Sequence, residues 1–190
     1  NSSLVLRALI NDADVLQHFP ALRASASFVL RCLAHKVHSR VFRHVSVELK
    51  NDRAFVLQAV AVNGLILHWV DARLKNDEEV VSVAVANNGT ALQFSSDALR
   101  QRLDLTKIAV SNDPKVFEWV DPSLKYTPAY RELVILAVKQ SAHCLKFVEG
   151  PLREDLDIIK VALQSQEDSE YALKYVGEKI RNSAPFMLDA

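Results

Sequence analysis

Apolar residues recur along this chain at helical spacing and return in register from block to block. Residues 51–75, 76–100 and 101–125 align without a gap. Residues 126–153, 154–181 and 24–50 follow the same pattern after insertions of three, three and two residues. Residues 1–23 read as a truncated copy, and 182–190 fall outside the pattern. Numbered from the start of a block, the ninth position holds Ala8, Cys32, Ala59, Ala84, Ala109, Ala137 and Ala162. The fifth holds Leu4, Phe28, Phe55, Val80, Leu105, Leu133 and Ile158, and the tenth is always Leu or Val. Side chains at i and i+4 share one face of a helix, so the first half of each block predicts an amphipathic helix of about ten residues. A ninth residue that is always small predicts close approach of a neighbouring backbone, where a larger side chain would cost about 1–3 kcal/mol.

The second half carries its own stripe. Leu16, Phe42, Leu67, Leu92, Phe117, Leu145 and Leu173 are followed three residues later by Phe19, Val45, Val70, Ser95, Val120, Val148 and Val176. This predicts a second short helix, with Trp69, Phe94, Trp119, Phe147 and Tyr175 packing between repeats. Asn63-Gly64, Asn88-Gly89 and Asp113-Pro114 predict the stop and turn between the halves. Asp52, Asp77 and Asp157 are predicted helix caps. Isolated helices this short are marginal in water, so neighbouring copies must bury each other's apolar faces. The fold class expected is therefore all-α: tandem short helix-turn-helix repeats stacked as an α-solenoid, one repeat domain over 1–181 with a tail at 182–190.

The run N-D-x-x-x-V-x-x-A-V-x-x-N-G-x-x-L is carried by Asn51, Asp52, Val56, Ala59, Val60, Asn63, Gly64 and Leu67, with Leu74 beyond it, and again in 76–100. It resembles the helical repeats catalogued as domain of unknown function 4116. The resemblance spans nearly the whole chain and implies the repeat fold. That family carries no defined active site, so the resemblance transfers no functional residue.

Composition narrows the chemistry. Lys plus Arg and Asp plus Glu both total 23, so no whole-chain field attracts nucleic acid or a membrane surface. Residues 1–75 hold ten basic and five acidic residues, a net +5, and 76–190 hold thirteen and eighteen, a net −5. That asymmetry suits oriented docking on another protein better than wrapping by nucleic acid. No apolar run is long enough to span a bilayer, which leaves only peripheral association with a membrane complex. The opening Asn1-Ser2-Ser3 reads as a trimmed or processed start. Cys32 and Cys144 lie several blocks apart and predict no disulfide, in keeping with a reducing intracellular compartment, cytosol or organelle interior.

Cys32, His35 and His38 are the one metal-like spacing, but steps of three drift off a single helix face, and no metal or cofactor is expected. No nucleophile elbow or phosphate-cradling glycine loop occurs, so no catalytic residue is expected. Two charged segments are the candidate partner surfaces. Arg31, Lys36, Arg40 and Arg43, among His35, His38 and His44, suit an acidic partner. Glu154, Asp155, Glu167, Asp168 and Glu170 suit a basic one, and Phe186 in the tail suits a neighbour's apolar surface. The first functional expectation is a non-catalytic protein–protein interaction scaffold. The alternatives are an accessory structural subunit of a large, organellar multiprotein assembly and a regulatory module appended to an enzyme.

Overall fold

The structure, a computed structural model, describes residues 2–35 and 39–165 together with 172, 174 and 175. Helix and turn make up all of the regular structure among these residues, and no strand occurs. The first helices of the successive repeats are Ser2–Asn11, Ala26–Ala34, Arg53–Val62, Glu78–Asn87, Leu103–Asn112, Tyr130–Gln140 and Leu156–Leu163. The chain divides into two compact units, Asn1–Leu105 and Thr106–Ala190. Within each unit the repeats stack in the manner of an α-solenoid.

The first helices form where the periodicity predicts them. From the second repeat on, the fifth and ninth positions lie inside, and so does the tenth as far as Val138: Phe55, Ala59 and Val60, for example, or Leu133, Ala137 and Val138, are all buried. Aspartate or serine caps most of them. The Asp52 carboxylate accepts from the amides of Ala54 and Phe55, and Asp77 accepts from Val80. In the last of these repeats the cap is Asp155, which accepts from Asp157 and Ile158, and not Asp157, which stands inside the first turn. The reason is register: the cap must precede the helix and aim its oxygen at the amides two and three residues on.

The second half of the repeat departs from expectation. It is a six-residue 3₁₀ helix, as at Gly64–Trp69, Gly89–Phe94, Pro114–Trp119 and Ala142–Phe147, followed by one more short turn of helix. The three-residue step between the second-half apolar positions matches a 3₁₀ helix, whose side chains eclipse at i and i+3. Asn63 sits between the halves in extended conformation, at φ −149° and ψ 100°. Its own N–H donates to the Ala59 carbonyl while its side-chain oxygen accepts from Leu65. It thus ends one helix and starts the next, and Asn88 and Asp113 repeat the arrangement. The Asn-Gly pair is therefore no left-handed glycine stop. Gly64 has an ordinary φ, and a methyl group on it would overlap the Ala84 carbonyl oxygen of the next repeat and lie 3.0 Å from its carbon.

Successive repeats are fastened at several heights. Helices Arg53–Val62 and Glu78–Asn87 pack along their length. The Gly64 amide donates to Asn87 Oδ1 at 2.7 Å, and Asn87 Nδ2 donates to the Ala61 carbonyl at 2.9 Å. In the second unit Gln140, which aligns with Asn87, donates to the Ser111 carbonyl at 3.2 Å. Backbone joins backbone where Ser46 N–H meets Arg23 O and Ser96 N–H meets Lys75 O, both at 3.0 Å. Phe42 stacks on Phe55 of the following repeat with centroids 6.0 Å apart.

The expected stripe breaks at the first helix. Leu4 is 62% exposed and Ala8 only half-buried, although every later residue at those two positions is buried.

Candidate interaction surface

The third position of a repeat carries a charge clamp onto the next one. Arg53 donates to Asp77 at 2.7 Å and to Glu79 at 2.5 Å. Arg131 does the same one unit later, to Asp155 at 2.8 Å and Asp157 at 2.9 Å. The hydrogen bonds from these guanidinium groups hold the carboxyls of Asp77 and Asp155 below the usual carboxylate range. Lys107 reaches Glu132 at 2.7 Å and Lys125 reaches Glu149 at 3.0 Å. Much of the chain's charge is thus committed to holding repeats together.

That accounting relocates the predicted partner residues. Asp155 is a helix cap and the anchor of Arg131, so both its oxygens are occupied by structure. Glu154 is half-buried and has interactions of its own. Arg43 lies 3.1 Å from Asp14, whose carboxyl is held down first by its hydrogen bond with His44 at 3.0 Å and then by the Arg43 charge. Arg31 is exposed, its guanidinium 5.5 Å above the Phe28 ring, and Arg40 is exposed. Lys36, Glu167, Asp168, Glu170 and Phe186 lie outside the described residues. Cys32 is buried, its thiol pushed up to about 11 by desolvation, whereas His35 is exposed. The two therefore part company on the helix, and His38 lies outside the described residues. Among the described residues no cluster of His, Cys, Asp and Glu is arranged to hold a metal ion, and no helix is long and apolar enough to cross a membrane.

The aromatic row of the second halves also differs from expectation. Trp69 and Phe94 are half-buried, both in edge contact with His68. Trp119 is 54% exposed, so it does not pack between repeats. A large aromatic is held open to solvent there because its 3₁₀ helix turns only Val116 and Phe117 inward.

Beside it, the 3₁₀ helices Pro114–Trp119 and Ala142–Phe147 bound a cleft of about 470 Å³. Pro114, Cys144 and Phe147 supply apolar lining, and Lys115, Glu118 and Lys146 line it with charge. The Cys144 thiol donates to the Pro114 carbonyl at 3.4 Å, which ties the two walls. The Lys146 ammonium lies 5.3 Å over the Phe147 ring. Lys115 and Lys146 form no ion pair among the described residues. Sequence reasoning passed over both lysines because single charges on a helix read as solvated. The signal that marked the place was Pro114, which stands where the two preceding repeats have glycine and lacks the amide equivalent to the one Gly64 gives to Asn87.

The family model described as Domain of unknown function (DUF4116) matches residues 28–75, 52–100, 77–125 and 130–181. The first three matches overlap and advance by about one repeat each, as the structural register does, and the fourth begins about two repeats further on. No curated protein and no solved structure shows significant similarity to the chain.

Proposed function

The chain belongs to this family of helical repeats of unknown function, and from that premise we propose that it is a non-catalytic scaffold for protein–protein interaction. The observation that carries the reading is the division of labour within a repeat. First helices, ninth-position alanines and third-position arginines are spent on stacking, and the outer edge of the 3₁₀ helices keeps aromatic and cationic side chains in reserve. Trp119, Phe147 and Lys146 have the composition of an interface anchor, in which buried aromatics and a few cations carry most of the binding energy. Rigid presentation of such an edge is what a stacked repeat does well, since ordering costs were met on folding. Two free, buried cysteines suit a reducing interior.

The test is paired affinity capture from the native source with quantitative mass spectrometry. The baits are the full chain, its Trp119→Ser form and its Phe147→Ser form, each checked for an unchanged unfolding transition. The proposal expects a discrete set of proteins on the parent chain, depleted at least fivefold on one or both variants. Identical sets on all three baits, or no specific protein on any, would defeat it.

A further inference from the structure

We infer that the cleft between Pro114–Trp119 and Ala142–Phe147 binds an extended segment of a partner protein in which a carboxylate side chain stands next to an aromatic or large aliphatic one. The inference rests on the interaction reading above and names the chemistry of the partner at that site.

Three observations lead to it. The first is the spare charge. Within this unit Lys107, Lys125 and Arg131 are each matched to an acid of the following repeat, at 2.7, 3.0 and 2.8 Å. Lys115 and Lys146 are exposed at the cleft and matched to no acid among the described residues. Two ammonium groups beside one cleft favour an anion. The second is the lining. Pro114 and Phe147 are only half-buried, and covering them removes apolar surface from water. That favours an apolar side chain beside the anion, at about 25 cal/mol for each Å² covered. The third is the shape. The walls are the edges of two consecutive repeats, held by the Cys144 to Pro114 bond, and the volume is in the range of a side-chain pocket. A segment lying along the edge would set one side chain in the cleft and its neighbour against the lysines.

Chemistry selects a peptide over a nucleic acid. Glu118 stands at the same cleft and repels a continuous phosphate backbone, whereas a single carboxylate can be placed away from it. The rings in the lining are those of Phe147 and His143, which fall short of the run of stacking platforms along which a single strand binds.

The experiment is selection of a displayed library of random 12-residue peptides on the full chain. Selected peptides are then titrated against the parent chain and against Lys115→Glu, Lys146→Glu and Lys139→Glu. Lys139 is exposed in the same unit and does not line the cleft, so it controls for bulk charge. The inference expects selected peptides to place Asp or Glu within two residues of Phe, Trp, Leu or Ile. It also expects at least tenfold weaker binding to each cleft variant and less than twofold change for Lys139→Glu, with thermal unfolding of all forms alike. Peptides without acids, or peptides indifferent to Lys115 and Lys146, would overturn this inference and leave the scaffold reading standing. A chain that selects no peptide overturns it as well, and captured proteins would then decide the scaffold reading separately. Equal binding of a 12-nucleotide thymidine strand through the same two lysines would also overturn it.

Discussion

Gly64→Ala is expected to lower unfolding stability by about 3 kcal/mol or more, above the usual range for one added methyl in a packed site. Changing glycine to alanine at a site with ordinary φ normally helps by about 0.4–1 kcal/mol, because the unfolded chain loses freedom. Here the added carbon has nowhere to go. It meets the Ala84 carbonyl oxygen, with the Ala84 carbon at 3.0 Å and the Asn88 nitrogen at 3.3 Å. All three are backbone atoms, so no side chain can rotate aside. The Ala84 oxygen also accepts the Asn88 amide at 2.9 Å, the bond that closes its helix, and moving it weakens that bond too. Equilibrium denaturation of the variant beside the parent chain measures the loss. A change within 0.5 kcal/mol, the size of a neutral surface substitution, would mean that the two repeats do not approach at this point.

Ala84→Leu approaches the same contact from the other repeat and is expected to cost about 3 kcal/mol. Ala84 is fully buried on helix Glu78–Asn87, beneath the turn that begins at Gly64. A leucine there must push the preceding repeat away or leave its preferred rotamer, and either costs close packing on both sides. The control is Ala86→Leu, two residues on and exposed, where alanine and leucine have similar helix propensity. Denaturation midpoints should separate the two substitutions clearly. Equal midpoints would assign the loss to the helix itself and not to stacking.

Ala84 shows where the sequence was transparent. A ninth residue that is always small, set beside apolar fifth and tenth positions, reflects burial against a neighbour, and burial leaves a periodic mark. Turn type left a subtler mark. The step from Leu67 to Val70 is three residues whether the segment is α or 3₁₀, and only the short span between the Asn63 cap and extended Val70 decides for the tighter helix. Asn-Gly predicts a helix stop and turn, where glycine usually serves backbone freedom. At Gly64 it serves space, and no local pattern distinguishes the two. The clamp of Arg53 on Asp77 and Glu79 was written in the sequence as a basic third position followed by acidic second and fourth positions in the next block. It repeats at Arg131, Asp155 and Asp157, and reading each acid alone as a cap or a solvated charge concealed it.

The candidate surface was the least legible part. The predicted acidic patch contains Asp155, which stacking consumes, and the predicted basic segment contains Arg43, which Asp14 neutralises. The residues at the cleft are ordinary in type and become notable only when two repeats place them side by side. Its aromatic counterparts predict that Trp119 packs between repeats, but its exposure follows from which two residues of its short helix turn inward.

The central claim is that each repeat is completed by the next. Amide hydrogen exchange at Gly64 tests it most directly, because that amide has its acceptor on Asn87 of the following repeat, 2.7 Å away. The account predicts that the Gly64 amide is protected to the level of amides inside helix Arg53–Val62, and that Asn87→Ala removes the protection while those helix amides keep theirs. Exchange of the Gly64 amide in the parent chain at the rate of an unstructured peptide would contradict it.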